Sequence, residues 1–450
     1  MILPDRLVRC VYIAVALSLG TAWAGGVANA EHSDHTVATA WFDLYVTLVS
    51  QTPGFTAPVA ARAYGYAGVT LYESLVFAMP EHRSLAGSLD GLEALPSHAG
   101  PEPLDAPTVA NAALAHATRA LFPTARDKNV VLIDELERRI EHAQAERVDD
   151  ATLERSRAHG RAVASAIVAW SLDDGGADAY ARNIDPDYVV PAGATWEPTP
   201  RQVGAPLPPL LPQWGDNRPF VPGVVSACTP PPPPAYSYDP ASLLYQEALE
   251  VVEAVRSITP LERETAQFWA DDAGSSATPA GHWFAILTNV LESHDATLSV
   301  AAEGYARLGI ALNDAFISCW STKFDHLYVR PITYIRRAID PDWNLPRLTD
   351  PLLTPPFPEY TSGHSVVSGA AAGVLTALFG DDVAFVDDFH VGRGFDPRGY
   401  DSFWQAADEA AFSRLVGGIH FRSGIEYGVL EGRCVAERVM ALPLRGAHLD

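Results

Sequence analysis

Three short segments in the last third of the sequence hold residue types suited to gripping an oxyanion. In the first, Lys323-Phe324-Asp325-His326-Leu327-Tyr328-Val329-Arg330-Pro331, two cations stand seven positions apart. On a continuous helix that is about two turns, so Lys323 and Arg330 would share one face, roughly 10 Å apart along the axis. Pro331 disfavours helical geometry at Arg330, which loosens the second turn. The second segment is Thr361-Ser362-Gly363-His364-Ser365, directly before a helical pattern. A helix start offers unpaired backbone amides and a partial positive charge. There Gly363 lets an anion approach the backbone, Ser362 adds a hydroxyl donor, and His364 can give or take a proton. The third, Ser413-Arg414-Leu415-Val416-Gly417-Gly418-Ile419-His420, places Arg414 and His420 on different faces of any continuous helix. Gly417-Gly418 breaks that helix, so both side chains can meet at one point. Taken singly, each segment has an ordinary reading as surface cations, a plain N-cap or a loop histidine. Taken together, three cations and two imidazoles describe a pocket for a tetrahedral anion.

The elements that position these residues read as helices. Apolar residues recur three and four apart over 36–51, 57–78, 106–121, 127–146 and 152–172. Pro58 suits a helix start, and Asp173-Asp174-Gly175-Gly176 stops the fifth segment. Helical patterns return at 241–257, 260–271, 281–292 and 296–320, the last with Asp295 as expected N-cap. The 363–379 helix is rich in Ala, Gly and Ser and should pack closely. Gly380 ends it, and 381–400 reads as an acidic loop. Two more helices cover 402–416 and 421–440. Strand-like alternation is scarce, so the fold class is all-α, built from helical bundles. The stretch 183–240 is dense in Pro, Gly and Trp, with an extended run from Pro230 to Pro234. It either divides the chain or wraps over one domain. The expected organisation is a leader over 1–30, an N-terminal helical region over 31–180, a connecting segment over 181–240 and a catalytic bundle over 241–450.

Residues 1–30 read as a secretory leader. Arg6 and Arg9 precede the apolar run Val11–Leu19, and Ala28-Asn29-Ala30 offers a cleavage site, with an alternative after Ala24. A secreted or periplasmic protein is expected, cut near Ala30. No later segment has the ~18 uninterrupted apolar residues of a membrane span. The whole chain carries −24; without Arg6, Arg9 and Asp5 it carries −25. Such a charge repels nucleic acid and anionic membranes, and makes a local cluster of Lys and Arg informative. Of four cysteines, Cys10 lies in the leader; Cys228, Cys319 and Cys434 remain, with no zinc or redox spacing. One disulfide is permitted, and the pair is left open.

Lys–x6–Arg–Pro, Ser–Gly–His and Ser–Arg–x5–His, in this order, resemble the signature of the vanadium-dependent haloperoxidase and type 2 phosphatidic-acid phosphatase superfamily. Phe268-Trp269-Ala270-Asp271-Asp272, Thr278-Pro279, His282-Trp283 and Trp214-Gly215-Asp216-Asn217-Arg218-Pro219-Phe220 extend the likeness to bacterial members over most of the chain. The resemblance implies two four-helix-type bundles. It implies that Lys323, Arg330 and Arg414 bind the equatorial oxygens of vanadate or phosphate, with Ser362 and Gly363 donating to the same oxygens. His420 would be the axial vanadium ligand, or the phosphohistidine nucleophile of a phosphatase. His364 would be the general acid/base, and Asp271 or Asp272 would hold one arginine in place. Two positions depart from the usual pattern. Thr361 stands where proline is common, and Gly424 stands where a carboxylate often follows the axial histidine by four residues; Glu426 is the candidate substitute.

Trp320 and Phe357 match positions where the chloride-oxidising fungal enzymes carry bulky aromatics beside the halide, whereas algal bromoperoxidases tend to place histidine at the position of Phe357. The expectation is therefore a haloperoxidase that uses vanadate, hydrogen peroxide, halide and an organic acceptor. The alternative is a secreted acid phosphatase acting on phosphomonoesters, with no cofactor. A non-catalytic anion-binding protein would have no need of both histidines.

Overall fold

The structure, a computed structural model, describes residues 35–98, 100–199, 206–343 and 352–445. The expected leader lies outside the described residues. Among those described, the regular secondary structure is helical apart from one small hairpin, the all-α class expected. The first five helices are α1 (Thr36–Gln51), α2 (Ala57–Leu75), α3 (Ala106–Leu121), α4 (Asp127–Ala145) and α5 (Asp150–Ser171). There follow the short α6 (Val224–Ala227), then α7 (Leu243–Arg256), α8 (Pro260–Phe268), α9 (Thr278–Ser293) and the long α10 (Leu298–His326). The chain continues with α11 (Pro331–Ala338), α12 (Gly363–Phe379), the strands β1 (Phe385–Asp387) and β2 (Arg398–Tyr400), α13 (Phe403–Val416) and α14 (Arg422–Met440).

Short polar side chains start many of these helices. Asp105, Asp149, Ser242, Thr259, Ser362 and Ser402 each accept a hydrogen bond from the backbone amide three residues on, which satisfies one orphan donor of the first turn. For α10 the cap is Thr297 rather than Asp295, because Asp295 takes a left-handed conformation (φ 46°) two residues earlier. Two helices pass through the middle of the molecule. Every residue of α2 from Pro58 to Leu75 is buried, as is nearly all of α10 from Leu298 to Trp320. They can lie backbone to backbone because glycines face each other: a Cβ on Gly68 would sit 2.4 Å from the Tyr305 carbonyl oxygen. The same device joins α12 to α14, where a Cβ on Gly432 would lie 2.0 Å from the carbonyl oxygen of Val366. This fixes the start of α12, and so Ser362, against α14.

The Pro- and Trp-rich stretch wraps onto the end of α10 and the segments that follow it. The Trp196 amide donates to Leu327 O (2.8 Å) and the Leu210 amide to Pro356 O (3.0 Å). The Tyr328 hydroxyl donates to Pro234 O at 2.7 Å, and Tyr360 donates its hydroxyl to Pro231 O. A disulfide between Cys228 and Cys434 ties this stretch to α14, with Cα atoms 5.6 Å apart, inside the usual range for such a bond. Cys319 is a buried free thiol.

Two local expectations are corrected. The 381–400 loop contains an antiparallel pair, Phe385 opposite Tyr400 and Asp387 opposite Arg398, because Phe385 and Tyr400 turn inward to the core while Asp387 bonds to a buried histidine. Lys323 and Arg330 do not share a helix. α10 ends at His326, Leu327 takes φ 44°, and Arg330 is the N-cap of α11 with Pro331 at its first position. Proline here opens a new helix instead of fraying an old one.

Candidate active site

The three motif segments converge. Lys323 lies in the last turn of α10, Arg330 at the start of α11, Ser362 and Gly363 at the start of α12, Arg414 in the last turn of α13, and His420 in the link to α14. The Gly417–Gly418 break works as the sequence suggests: Gly418 takes φ 76°, and the chain turns so that His420 meets Arg330. Lys323, Arg330, Ser362, Arg414 and His420 are all buried, and His364 is partly buried. Burial drives the His420 imidazole well below its ordinary pKa, and the charges of Arg330, Lys323, Arg414 and His364 push it further the same way. Four groups, drawn from all three motif segments, therefore act on one ring.

His420 has a defined tautomer. Its Nδ1 lies 2.7 Å from Glu359 Oε1, and its Nε2 lies 3.1 Å from Arg330 Nη1. A guanidinium can only donate, so Nε2 carries the lone pair and Nδ1 carries the proton given to Glu359. Glu359 Oε1 also accepts the Phe421 amide at 3.0 Å. This is the carboxylate the sequence reading did not find. Glu426 pairs with Arg422 (3.6 Å) at the exposed side of α14 and does not orient His420. Gly424 is the reason Glu359 fits: a Cβ there would stand 2.2 Å from Glu359 Oε1. The missing side chain at one position is the space filled by another 65 residues earlier. The signal available in the sequence was the pairing of that gap with a glutamate two residues before Thr361.

The cations are held differently from one another. Arg330 donates Nε to Phe357 O (2.9 Å) and Nη1 to Ile419 O (2.8 Å), while its buried Nη2 has no partner. Lys323 spends its three ammonium protons on Pro358 O and Glu359 O, both at 2.9 Å, and on Thr361 O. It acts on an anion through charge, or by releasing one carbonyl. Burial, reinforced by Arg330, brings its pKa down to about 8. Arg414 donates Nε to Ser413 Oγ (2.9 Å) and Nη2 to Ala266 O (3.0 Å), and burial brings it to about 10 despite Asp271 and Asp272. Those two aspartates reach Arg414 by charge, but Asp271 gives its oxygens to His282 and His390 rather than to an arginine. Thr361, in place of the usual proline, donates its hydroxyl to the buried Glu431, a bond proline cannot make. His364 Nε2 lies 3.2 Å from Ala270 O, and burial with the nearby Arg414 brings its pKa to about 3. It is neutral at ordinary pH, with Nδ1 free to accept a proton.

One wall is aromatic. The Trp320 and Phe357 rings lie 4.9 Å apart, Lys323 Nζ is 5.1 Å from the Phe357 centroid, and Arg330 Cζ is 5.0 Å from it. The Trp320 ring also stands 3.7 Å from where a Cβ on Gly363 would be.

The family model for the VCPO second helical-bundle domain matches residues 303–445, the span that contains the three motif segments. A solved structure of the first bacterial vanadium-dependent iodoperoxidase is 34% identical, with a TM-score of 0.80 over 91% of this chain and 96% of that one. The chain belongs to the vanadium-dependent haloperoxidase family. A bacterial vanadium-dependent chloroperoxidase shares the fold in its holo form (TM-score 0.63, 15% identity, 88% of this chain and 94% of that one) and its apo form (0.62, 14%, 93% and 100%). No curated protein sequence matches. For a haloperoxidase the implied cofactor is vanadate, and the residues fit it. A buried guanidinium nitrogen without a partner is costly unless an acceptor arrives, and Arg330 Nη2 is such a nitrogen beside a His420 lone pair.

Proposed function

We propose that this haloperoxidase uses hydrogen peroxide to oxidise halide at a vanadate held on His420 Nε2, with iodide as its readiest halide. The observation that carries the reading is the His420 ring: Nδ1 pinned by Glu359, the Nε2 lone pair facing Arg330, three buried cations around it. The 34% identity to an iodoperoxidase supports the choice of halide. Bound vanadate supplies a Lewis-acid centre that activates peroxide without changing its own oxidation state. Arg330, Arg414 and Lys323 balance the oxyanion's charge in a site shielded from water, where fixed charges act most strongly. The Ser362 hydroxyl and the Gly363 amide are the groups that would donate to its oxygens. His364, neutral and anchored through Nε2, accepts the peroxide proton at Nδ1. Trp320 and Phe357 form the apolar wall on which a weakly hydrated halide is favoured. The leader expected over residues 1–30 would put the enzyme outside the cytoplasm, and the Cys228–Cys434 bond accords with an oxidising compartment.

The test is reconstitution with orthovanadate, followed by halogenation of monochlorodimedone with iodide, bromide and chloride. In parallel, vanadate-free protein is given p-nitrophenyl phosphate. Halogenation that requires vanadate is the expected result. Phosphatase turnover without halogenation under any halide would overturn the reading in favour of a phosphohistidine on His420.

A further inference from the structure

Behind the site, away from His420, lies a second group of charged side chains. The His282 ring of α9 is fully buried, with Nδ1 2.8 Å from Asp271 Oδ2 and Nε2 2.7 Å from Asp387 Oδ2. Asp271 Oδ1 meets His390 Nε2 at 3.0 Å and accepts the Ser276 hydroxyl at 3.1 Å. Two aromatic rings sandwich His282: Trp269 and Phe389 each stack on it with centroids 4.5 Å away. Two carboxylates on opposite nitrogens and two ring faces on the flanks are the surroundings of an imidazolium, since each carboxylate needs a proton and each π-face favours a cation.

The chain just before Asp271 is what this group holds. Asp271 takes a left-handed conformation (φ 46°), uncommon for a residue with a side chain, and Thr278 takes another (φ 65°). Such a turn persists only when its surroundings over-determine it. The carbonyls of this segment are the partners of two active-site residues: Ala266 O accepts from Arg414 Nη2 at 3.0 Å, and Ala270 O lies 3.2 Å from His364 Nε2.

We propose that His282 is a positioning residue, clamped between Asp271 and Asp387 so that the Ala266 and Ala270 carbonyls hold Arg414 and His364 in their working orientations. The inference rests on the roles given above to Arg414 and His364. One pin thus serves both an anion-binding arm and the proton acceptor. Burial alone would lower the His282 pKa, but Asp387 and Asp271 outweigh it and lift it to about 10. The competing reading is a metal, because Asp271, His282 and His390 bring ligand atoms within 4.8 Å of one another. The two readings differ at a single atom: a metal would take the proton's place on a His282 nitrogen.

Nitrogen NMR of 15N-histidine-labelled, vanadate-free protein, with His282→Gln to assign the signal, reads that atom directly. Both His282 nitrogens are expected to be protonated at pH 8. Vanadate titration of His282→Gln should then show binding weakened on the order of 10-fold, the usual cost of losing a partner behind a ligand. The kcat/KM for peroxide should fall by a similar factor with halide KM unchanged. Asp387→Asn, which keeps an acceptor for Nε2–H, should lose less on both counts, and urea unfolding of each variant separates positioning from loss of fold. The proposal is overturned by a His282 nitrogen without a proton, by a stoichiometric metal other than vanadium in the purified protein, or by a folded His282→Gln with native vanadate affinity. The NMR and binding arms need no halide turnover, so they stand whether or not the haloperoxidase reading survives its own test.

Discussion

Gly424→Ala is the most informative single change. In a helix, Gly→Ala ordinarily stabilises, by up to about 1 kcal/mol. Here the added Cβ would sit 2.2 Å from Glu359 Oε1 and 2.9 Å from its Cδ and Oε2. To reach ordinary contact the carboxylate must retreat by about 1 Å. It then lets go of His420 Nδ1, now at 2.7 Å, and the Phe421 amide, now at 3.0 Å. Hydrogen bonds to charged groups contribute about 1.5–3 kcal/mol each. Losing both and gaining the helix term leaves a net destabilisation of roughly 2–5 kcal/mol. His420 also loses the partner that fixes its tautomer, so vanadate affinity should fall about 10- to 100-fold. Urea unfolding of the vanadate-free protein and vanadate titration measure the two effects. Gly399→Ala, with open space around it, is the control. The decisive comparison is the double variant. In a Glu359→Ala background nothing remains to clash, so Gly424→Ala should become neutral or mildly stabilising. If Gly424→Ala costs the same with and without Glu359, or leaves vanadate affinity at the native value, the carboxylate does not depend on that gap and the reasoning fails.

Other predictions concern charge and covalent ties. Lys323 has a folded pKa of about 8 against 10.5 unfolded, so the folded state binds fewer protons between these values and stability rises with pH across that window. The stability of the native vanadate-free protein relative to Lys323→Met should therefore rise by roughly 3 kcal/mol between pH 7.5 and 10.5, measured by unfolding at each pH. Thr361→Val removes a hydroxyl from Glu431, whose carboxyl burial already pushes up to about 7. It should cost about 1–3 kcal/mol at pH 8 and less at pH 6, where that carboxyl is protonated. Replacing Cys228 and Cys434 together by alanine should lower stability by about 2–4 kcal/mol, and Cys319 should resist alkylation in the native protein while reacting after unfolding.

What was legible in the sequence was mostly local. Ser362 as an N-cap and Gly417–Gly418 as a break follow from residues adjacent to the consequence, and both positions appear where expected. The helix limits at 36–51, 106–121 and 363–379 coincide with α1, α3 and α12, and the polar cap Asp105 starts α3 while Ser362 and Gly380 bound α12. Lys323 and Arg330 misled because seven-residue spacing carries no information about Leu327, whose left-handed turn ends α10 between them. Glu359 and Gly424 were hidden for a different reason: they are complementary in volume, and complementarity across 65 residues leaves no periodic trace. The same holds for His282, whose partners come from a turn at 271 and a hairpin strand at 387.

The most direct test of the central claim is a crystal structure of the protein soaked with orthovanadate. The account predicts vanadium bonded to His420 Nε2, with Arg330, Arg414, Ser362 and Gly363 on its oxygens and Glu359 still on Nδ1. Vanadate bound elsewhere, or absent while His420 stays bonded only to Arg330 and Glu359, would contradict it.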